Sequence, residues 1–163
     1  KPTVAALPGP AAGAGFGLAL ACDFRLMTES AFATTAYARL GLSGDYGCSW
    51  FLTRLLGPAR ARELMFLGER LSARDCERLG LANRVLPDEG FAEAALDYAR
   101  RLALGPPLAF RSMKDTLNRA IDEPLAAVLA LESERMVDSA TTEDYQEAVS
   151  AFAEKRPPRF RGR

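Results

Sequence analysis

The stretch that most limits the fold is residues 3–22. There Thr3-Val4-Ala5-Ala6-Leu7 is followed by Pro8-Gly9-Pro10, by Ala11-Ala12-Gly13-Ala14-Gly15, and by Phe16-Gly17-Leu18-Ala19-Leu20-Ala21-Cys22. A short apolar run closed by prolines and a glycine reads as a strand buried on both faces. The turn after it holds residues with almost no side chain, and the next run reads as a helix of small residues that lets backbones approach closely. A strand, a bare turn and a helix start leave unpaired N–H groups and the positive end of the helix dipole facing whatever sits in the turn. Such a place suits an oxyanion, although tight helix packing alone also accounts for Gly and Ala there. A dinucleotide fingerprint is excluded by spacing, since Leu18 stands where the third glycine belongs. A Walker loop is excluded because no Gly-Lys-Ser/Thr follows.

Composition narrows the chemistry. The 163 residues contain no His, so Ser-His-Asp and Cys-His mechanisms are out, and acid/base work falls to carboxylates, Tyr, Lys or Cys. The 21 Lys and Arg balance the 21 Asp and Glu, which leaves no long-range field to attract nucleic acid or an anionic membrane. Cys22, Cys48 and Cys76 contain no C-x-x-C pair, so neither a disulfide framework nor a zinc site is expected, and a reducing cytoplasm fits best. Apolar runs at the N-terminus are too short for a signal peptide or a membrane span.

Further along, strands are predicted at residues 24–27 and 31–35, with an edge-like one at 82–86. One turn over residues 37–40 leads into the loop Gly41-Leu42-Ser43-Gly44-Asp45-Tyr46-Gly47. Helices are predicted at 50–56, stopped by Gly57; at 59–67, with Pro58 in the first turn; at 73–79, capped by Ser72; and at 91–104. From Pro107 onward the pattern is all helix, at 108–120, 124–137 and 142–155.

Several motifs together carry a resemblance. Lys1-Pro2-Thr3-Val4-Ala5-Ala6, the turn from Gly9 to Gly13-Ala14-Gly15, Leu18-Ala19-Leu20-Ala21-Cys22-Asp23, Leu40-Gly41-Leu42, Leu55-Leu56-Gly57 and Leu79-Gly80-Leu81-Ala82-Asn83-Arg84-Val85 are similar to the enoyl-CoA hydratase/isomerase (crotonase) family. The tail Ala151-Phe152-Ala153-Glu154-Lys155-Arg156-Pro157-Pro158-Arg159-Phe160 resembles the family's ending. The resemblance implies an α/β fold, a crotonase-like β-β-α spiral over residues 1–105, and a C-terminal helical region over 106–163 that oligomerises and contacts coenzyme A. It also implies that the chain corresponds to the C-terminal part of a longer subunit, and that subunits assemble as trimers or hexamers. The stripe Leu125, Val128, Leu129, Leu131 and Met136 is expected to need a partner surface.

For chemistry the resemblance implies an acyl-CoA thioester as substrate, no separate cofactor and no metal. Two backbone N–H groups hold an enolate oxygen, and by position the Ala14 amide is the second of them. The two glutamates with which the family's hydratases hold water fall on Gly17 and Tyr37, so water addition by that route is not expected. Asp45 stands where the family's ring-epoxide and dienoyl isomerases and aryl-CoA dehalogenases carry a catalytic aspartate. Glycines near Asp45 let the backbone approach a ligand, and Leu42, Tyr46 and Trp50 are expected to partly desolvate the carboxylate, raising its pKa. Capping the helix that contains Trp50 is the alternative role, and both can hold.

Gly13, Gly15, Tyr37, Leu42, Gly44 and Trp50 are the expected substrate-lining residues, with Tyr37 either orienting substrate or filling the vacated space. Phe152 and Lys155, beside the basic cluster of Arg156, Arg159, Arg161 and Arg163, are expected to meet the adenine and phosphates of coenzyme A. The expected reaction is double-bond isomerisation with Asp45 as acid/base. The alternatives are hydration, dehalogenation or hydrolysis with Asp45 as nucleophile, and non-catalytic acyl-CoA binding.

Overall fold

The computed structural model describes every residue from Lys1 to Arg163. Contacts divide these into two compact units: residues 3–98, and residues 99–163 with Lys1 and Pro2. In the first unit the opening apolar run forms β1 (Val4–Leu7), and a two-residue strand β2 (Ala11–Ala12) precedes α1 (Ala14–Leu20). The pattern recurs as β3 (Phe24–Thr28), β4 (Phe32–Thr34), a 3-10 turn (Tyr37–Leu40) and α2 (Cys48–Leu67). β5 (Leu71–Ser72), α3 (Ala73–Arg78) and β6 (Arg84–Leu86) follow, and α4 (Phe91–Ala103) begins in this unit.

The first strand of each repeat enters one sheet and the second enters another, which is the expected β-β-α spiral. β1, β3 and β6 run parallel, with Val4 opposite Phe24 and Leu26 opposite Arg84. β2 pairs in parallel with β4, and β5 closes that second sheet antiparallel to β4. Because Ala12 lies opposite Thr34, the residues leaving these two strands, 13–15 and 35–37, emerge side by side. The bond from Gly13 N to the Thr34 carbonyl, 3.1 Å long, extends that pairing by one residue.

The central strand β3 is buried from Arg25 to Thr28, as a strand flanked on both edges must be. Arg25 is tolerated there because its guanidinium donates to the carbonyls of Leu81, at 2.7 Å, and Cys22. Its backbone N–H donates to the Asn83 side chain at 2.8 Å. The Leu-Gly-Leu-Ala-Asn-Arg-Val motif is thus tied to β3 by its Asn, while Gly80, at φ 77°, turns the chain after α3. Phe16, Leu20, Met27, Tyr37, Leu52 and Leu64 are among the residues of the main core.

Some boundaries differ from those read in the sequence. Residues 11–12 were expected inside a turn, and Leu71–Ser72 were not expected to pair; both form two-residue strands. The strand predicted from residue 82 begins only at Arg84, because the amides of Leu81 and Ala82 both donate to the Cys76 carbonyl and finish α3. Ser72 caps α3 as expected, accepting from Asp75 N at 3.1 Å. Gly57, at φ 76°, breaks α2 before Pro58 restarts it.

The second unit contains α5 (Pro107–Arg119), α6 (Leu125–Ala140) and α7 (Glu143–Ala153). No residue of α6 is buried, and Leu125, Leu129 and Met136 are exposed. No helix is long and apolar enough to cross a membrane.

Leu52 is fully buried on α2, in the core that α1 and Tyr37 share. Leu52→Ala should lower unfolding free energy by about 2–5 kcal/mol in urea titrations; a loss below about 0.5 kcal/mol would contradict that packing.

Candidate active site

The bare turn has the conformation its residues permit. Gly13 adopts φ 52° and ψ −123°, and α1 opens at Ala14 with no side-chain cap. The first amides of a helix lack a carbonyl four residues back, and the Gly17 amide is the one that reaches the Gly13 carbonyl, at 3.0 Å. Nothing lies within 4 Å of where a Cβ on Gly15 would sit, so the space in front of that residue is open.

Gly17 is a different case. A Cβ there would stand 2.9 Å from the Tyr46 carbonyl oxygen and 3.1 Å from Tyr46 Cβ, so the 41–47 loop fills the room any side chain would need. Tyr46 itself takes a left-handed φ of 48°, and Gly41, Gly44 and Gly47 also have positive φ. The loop curls onto α1 because those conformations are available to it.

Tyr37 joins the two segments. It is buried, at 6% exposure. A Cβ on Gly13 would lie 3.6 Å from one edge of its ring, and a Cβ on Gly44 would lie 3.6 Å from another. Its hydroxyl donates to Asp45 Oδ1 at 2.6 Å. Burial, and then this bond, push the Tyr37 hydroxyl up to about 12. Burial also raises the thiol of nearby Cys48 to about 11, with the Asp45 charge adding to the effect. Neither group is a base near neutrality, and the Asp45 carboxylate beside them is exposed.

Two expectations for Asp45 are corrected. Leu42 and Tyr46 on the loop and Trp50 on α2 are 58%, 59% and 47% exposed, so they do not bury the carboxylate. The carboxylate is also not a helix cap. α2 starts at Cys48 with Gly47 as its cap residue and no side-chain cap bond, and Asp45 contributes only its carbonyl, to Cys48 N at 3.1 Å. The Tyr37–Asp45 bond was not foreseen from the sequence. The available signal was a tyrosine at a position matched to a family carboxylate, eight residues before an aspartate.

In the second unit Phe152 is 87% exposed and Lys155 is exposed. The basic cluster beside them is not a free cationic patch. Arg156 pairs with Glu147 and Glu154, and Arg163 pairs with Glu143 at 2.8 Å. Buried Asp144 accepts from Arg161 N at 2.6 Å and Gly162 N at 2.9 Å, while Arg159 N donates to Glu147 at 2.8 Å. The acidic first two turns of α7 therefore strap the tail down.

Arg156 and the Arg159 amide hold the Glu147 carboxyl down at about 2, below its ordinary 4.5. Its contribution is therefore fully present above about pH 4.5 and is lost as pH falls through about 2. Followed by NMR under acidification, the Arg159 amide proton should shift only as pH approaches about 2. A midpoint near 4.5 would contradict the pairing.

Comparison with known proteins agrees with the spiral and the motifs. The enoyl-CoA hydratase/isomerase family model matches residues 1–163, and the chain belongs to that family. It is 40% identical over 162 residues to a probable enoyl-CoA hydratase of Rhodobacter capsulatus, covering 99% of this chain and 63% of the relative. It is 39% identical over 163 residues to the 1,2-epoxyphenylacetyl-CoA isomerase of Escherichia coli K12, covering all of this chain and 62% of the relative. A crystal structure of an enoyl-CoA hydratase from Polaromonas sp. JS666 superposes with a TM-score of 0.95 at 41% identity, over 99% of this chain and 63% of that one. The chain thus spans less than two thirds of the length of these relatives, which include both a hydratase and an isomerase.

Proposed function

We propose that the protein acts on acyl-CoA thioesters and moves a carbon–carbon double bond between the β,γ and α,β positions. The observation that carries this reading is the single carboxylate. Of the two positions matched to the water-holding glutamates, one is Tyr37 and the other is Gly17, where the Tyr46 backbone leaves no room even for a Cβ. Asp45 remains, exposed and gripped by Tyr37. One carboxylate suffices to take a proton from Cα of a β,γ-enoyl thioester and return it to Cγ, whereas hydration also needs a water positioned and deprotonated.

In this scheme removal of the α-proton delocalises the electron pair onto the thioester oxygen, and backbone N–H groups including that of Ala14 stabilise the resulting dienolate. Protonation at Cγ by the Asp45 carboxyl then gives the conjugated product and restores the carboxylate. Gly13, Gly15 and Gly44 keep side chains out of the thioester's path, with Leu42 and Trp50 at its acyl end. Phe152 and Lys155 are the proposed contacts to the adenine and phosphates. Assembly into trimers or hexamers fits the exposed apolar residues of α6. The hydratase name of the Rhodobacter relative keeps hydration as the second reading.

In the full-length protein, Asp45→Asn should lower isomerisation of trans-3-hexenoyl-CoA by about 10²- to 10⁴-fold while the fold persists. Parent-level turnover in that variant would overturn the assignment. Ala14→Pro removes one N–H at the first helical position, where proline is tolerated, and should cost about 10²- to 10³-fold in kcat. Ala14→Gly should stay near the parent rate. A well-folded Ala14→Pro enzyme with normal kcat would remove Ala14 from the mechanism.

A further inference from the structure

We infer that Tyr37 is a positioning residue: its hydroxyl, bound to Asp45 Oδ1, fixes the carboxylate so that the other oxygen, Oδ2, moves the proton. The inference rests on the reading of Asp45 as the proton carrier and adds what makes an exposed side chain on a glycine-rich loop serve that purpose.

Four positive-φ residues, Gly41, Gly44, Tyr46 and Gly47, surround Asp45, and its immediate side-chain neighbours face solvent. Nothing in that loop by itself holds the carboxylate in one rotamer. Tyr37 does so from outside. Its ring is part of the buried core and lies against Gly13 and Gly44, so the hydroxyl has a fixed position relative to the turn that presents the Ala14 amide. The 2.6 Å bond is short for a neutral donor and typical of one made to a charged oxygen. It occupies Oδ1 and leaves Oδ2 as the oxygen with capacity for a proton.

The bond persists across the working pH range. A donor to an ionised carboxylate favours the ionised form. With its own proton held to about 12, Tyr37 remains a donor at every pH where an assay is practicable. Of the other titratable groups beside Asp45, the Cys48 thiol stays neutral over the same range and the Tyr46 side chain is exposed, and α1 contributes no titratable side chain. Tyr37 is therefore the side chain whose loss should free the Asp45 rotamer.

Tyr37→Phe keeps the ring and the core while removing the donor. In the full-length protein, kcat for trans-3-hexenoyl-CoA should fall about tenfold with KM nearly unchanged. The Asp45 χ1 rotamer, read from NMR couplings of the unliganded protein, should pass from one value to an average, because the carboxylate has lost the donor that holds it. That reading does not depend on turnover. A Tyr37→Phe enzyme with the parent's kcat and the parent's single Asp45 rotamer would overturn the positioning role. Asp45→Asn separates the two levels. If Asp45→Asn is inactive while Tyr37→Phe matches the parent, only the role of Tyr37 falls. If Asp45→Asn turns over like the parent, the proton-carrier reading falls and the role of Tyr37 with it.

Discussion

A buried tyrosine hydroxyl has to find an acceptor, and at Tyr37 the acceptor is the carboxylate of Asp45. The bond therefore serves folding and the site together. It satisfies a core residue and ties the Asp45 carboxylate to it. The ring that carries the hydroxyl lies where the bare turn and the 41–47 loop meet, against Gly13 on one side and Gly44 on the other. Both glycines have positive φ, which a side chain would strain, and at Gly44 a Cβ would also come within 2.9 Å of Met65 Cε.

The spiral brings these pieces together through one register. Parallel pairing of β2 with β4 puts the exits of both strands next to each other, so Gly13 and Tyr37 become neighbours although 24 positions separate their numbers (37 − 13). The fold supplies adjacency, and small residues supply the room. Gly17 shows the other side of that arrangement. The loop backbone at Tyr46 packs so closely on α1 that a second carboxylate at that position would need the loop to move. Gly17 and Tyr37 thus both lie against the 41–47 loop that carries Asp45.

Much of the fold was legible in the sequence because its signals are local. The Ser72 cap, the Gly57-Pro58 break and the apolar run that became β1 each declare themselves within a few residues. Two-residue strands such as Ala11–Ala12 and Leu71–Ser72 are too short for a period-2 pattern, so their pairing exists only in three dimensions. The candidate site was legible by residue identity: Ala14, Tyr37 and Asp45 stood out. Their relationship was not, because the direction of a side chain on a loop with left-handed residues follows from tertiary packing. That is why Leu42 and Tyr46, expected with Trp50 to cover Asp45, are exposed instead. The tail misled for a similar reason. Four arginines and a lysine within nine residues read as a positive patch, but the carboxylates that neutralise part of it sit on α7, 9 to 20 positions earlier (156 − 147 and 163 − 143).

The central claim is that a single carboxylate, oriented from below by tyrosine, commits this site to carrying a proton between carbons. The most direct measurement compares two reactions on the same full-length preparation: conversion of trans-3-hexenoyl-CoA to its trans-2 isomer, and hydration of crotonyl-CoA. Isomerisation should exceed hydration by at least about 10²-fold, the contribution of one missing acid/base group. Hydration on the order of 10² per second, with isomerisation slower, would contradict the account.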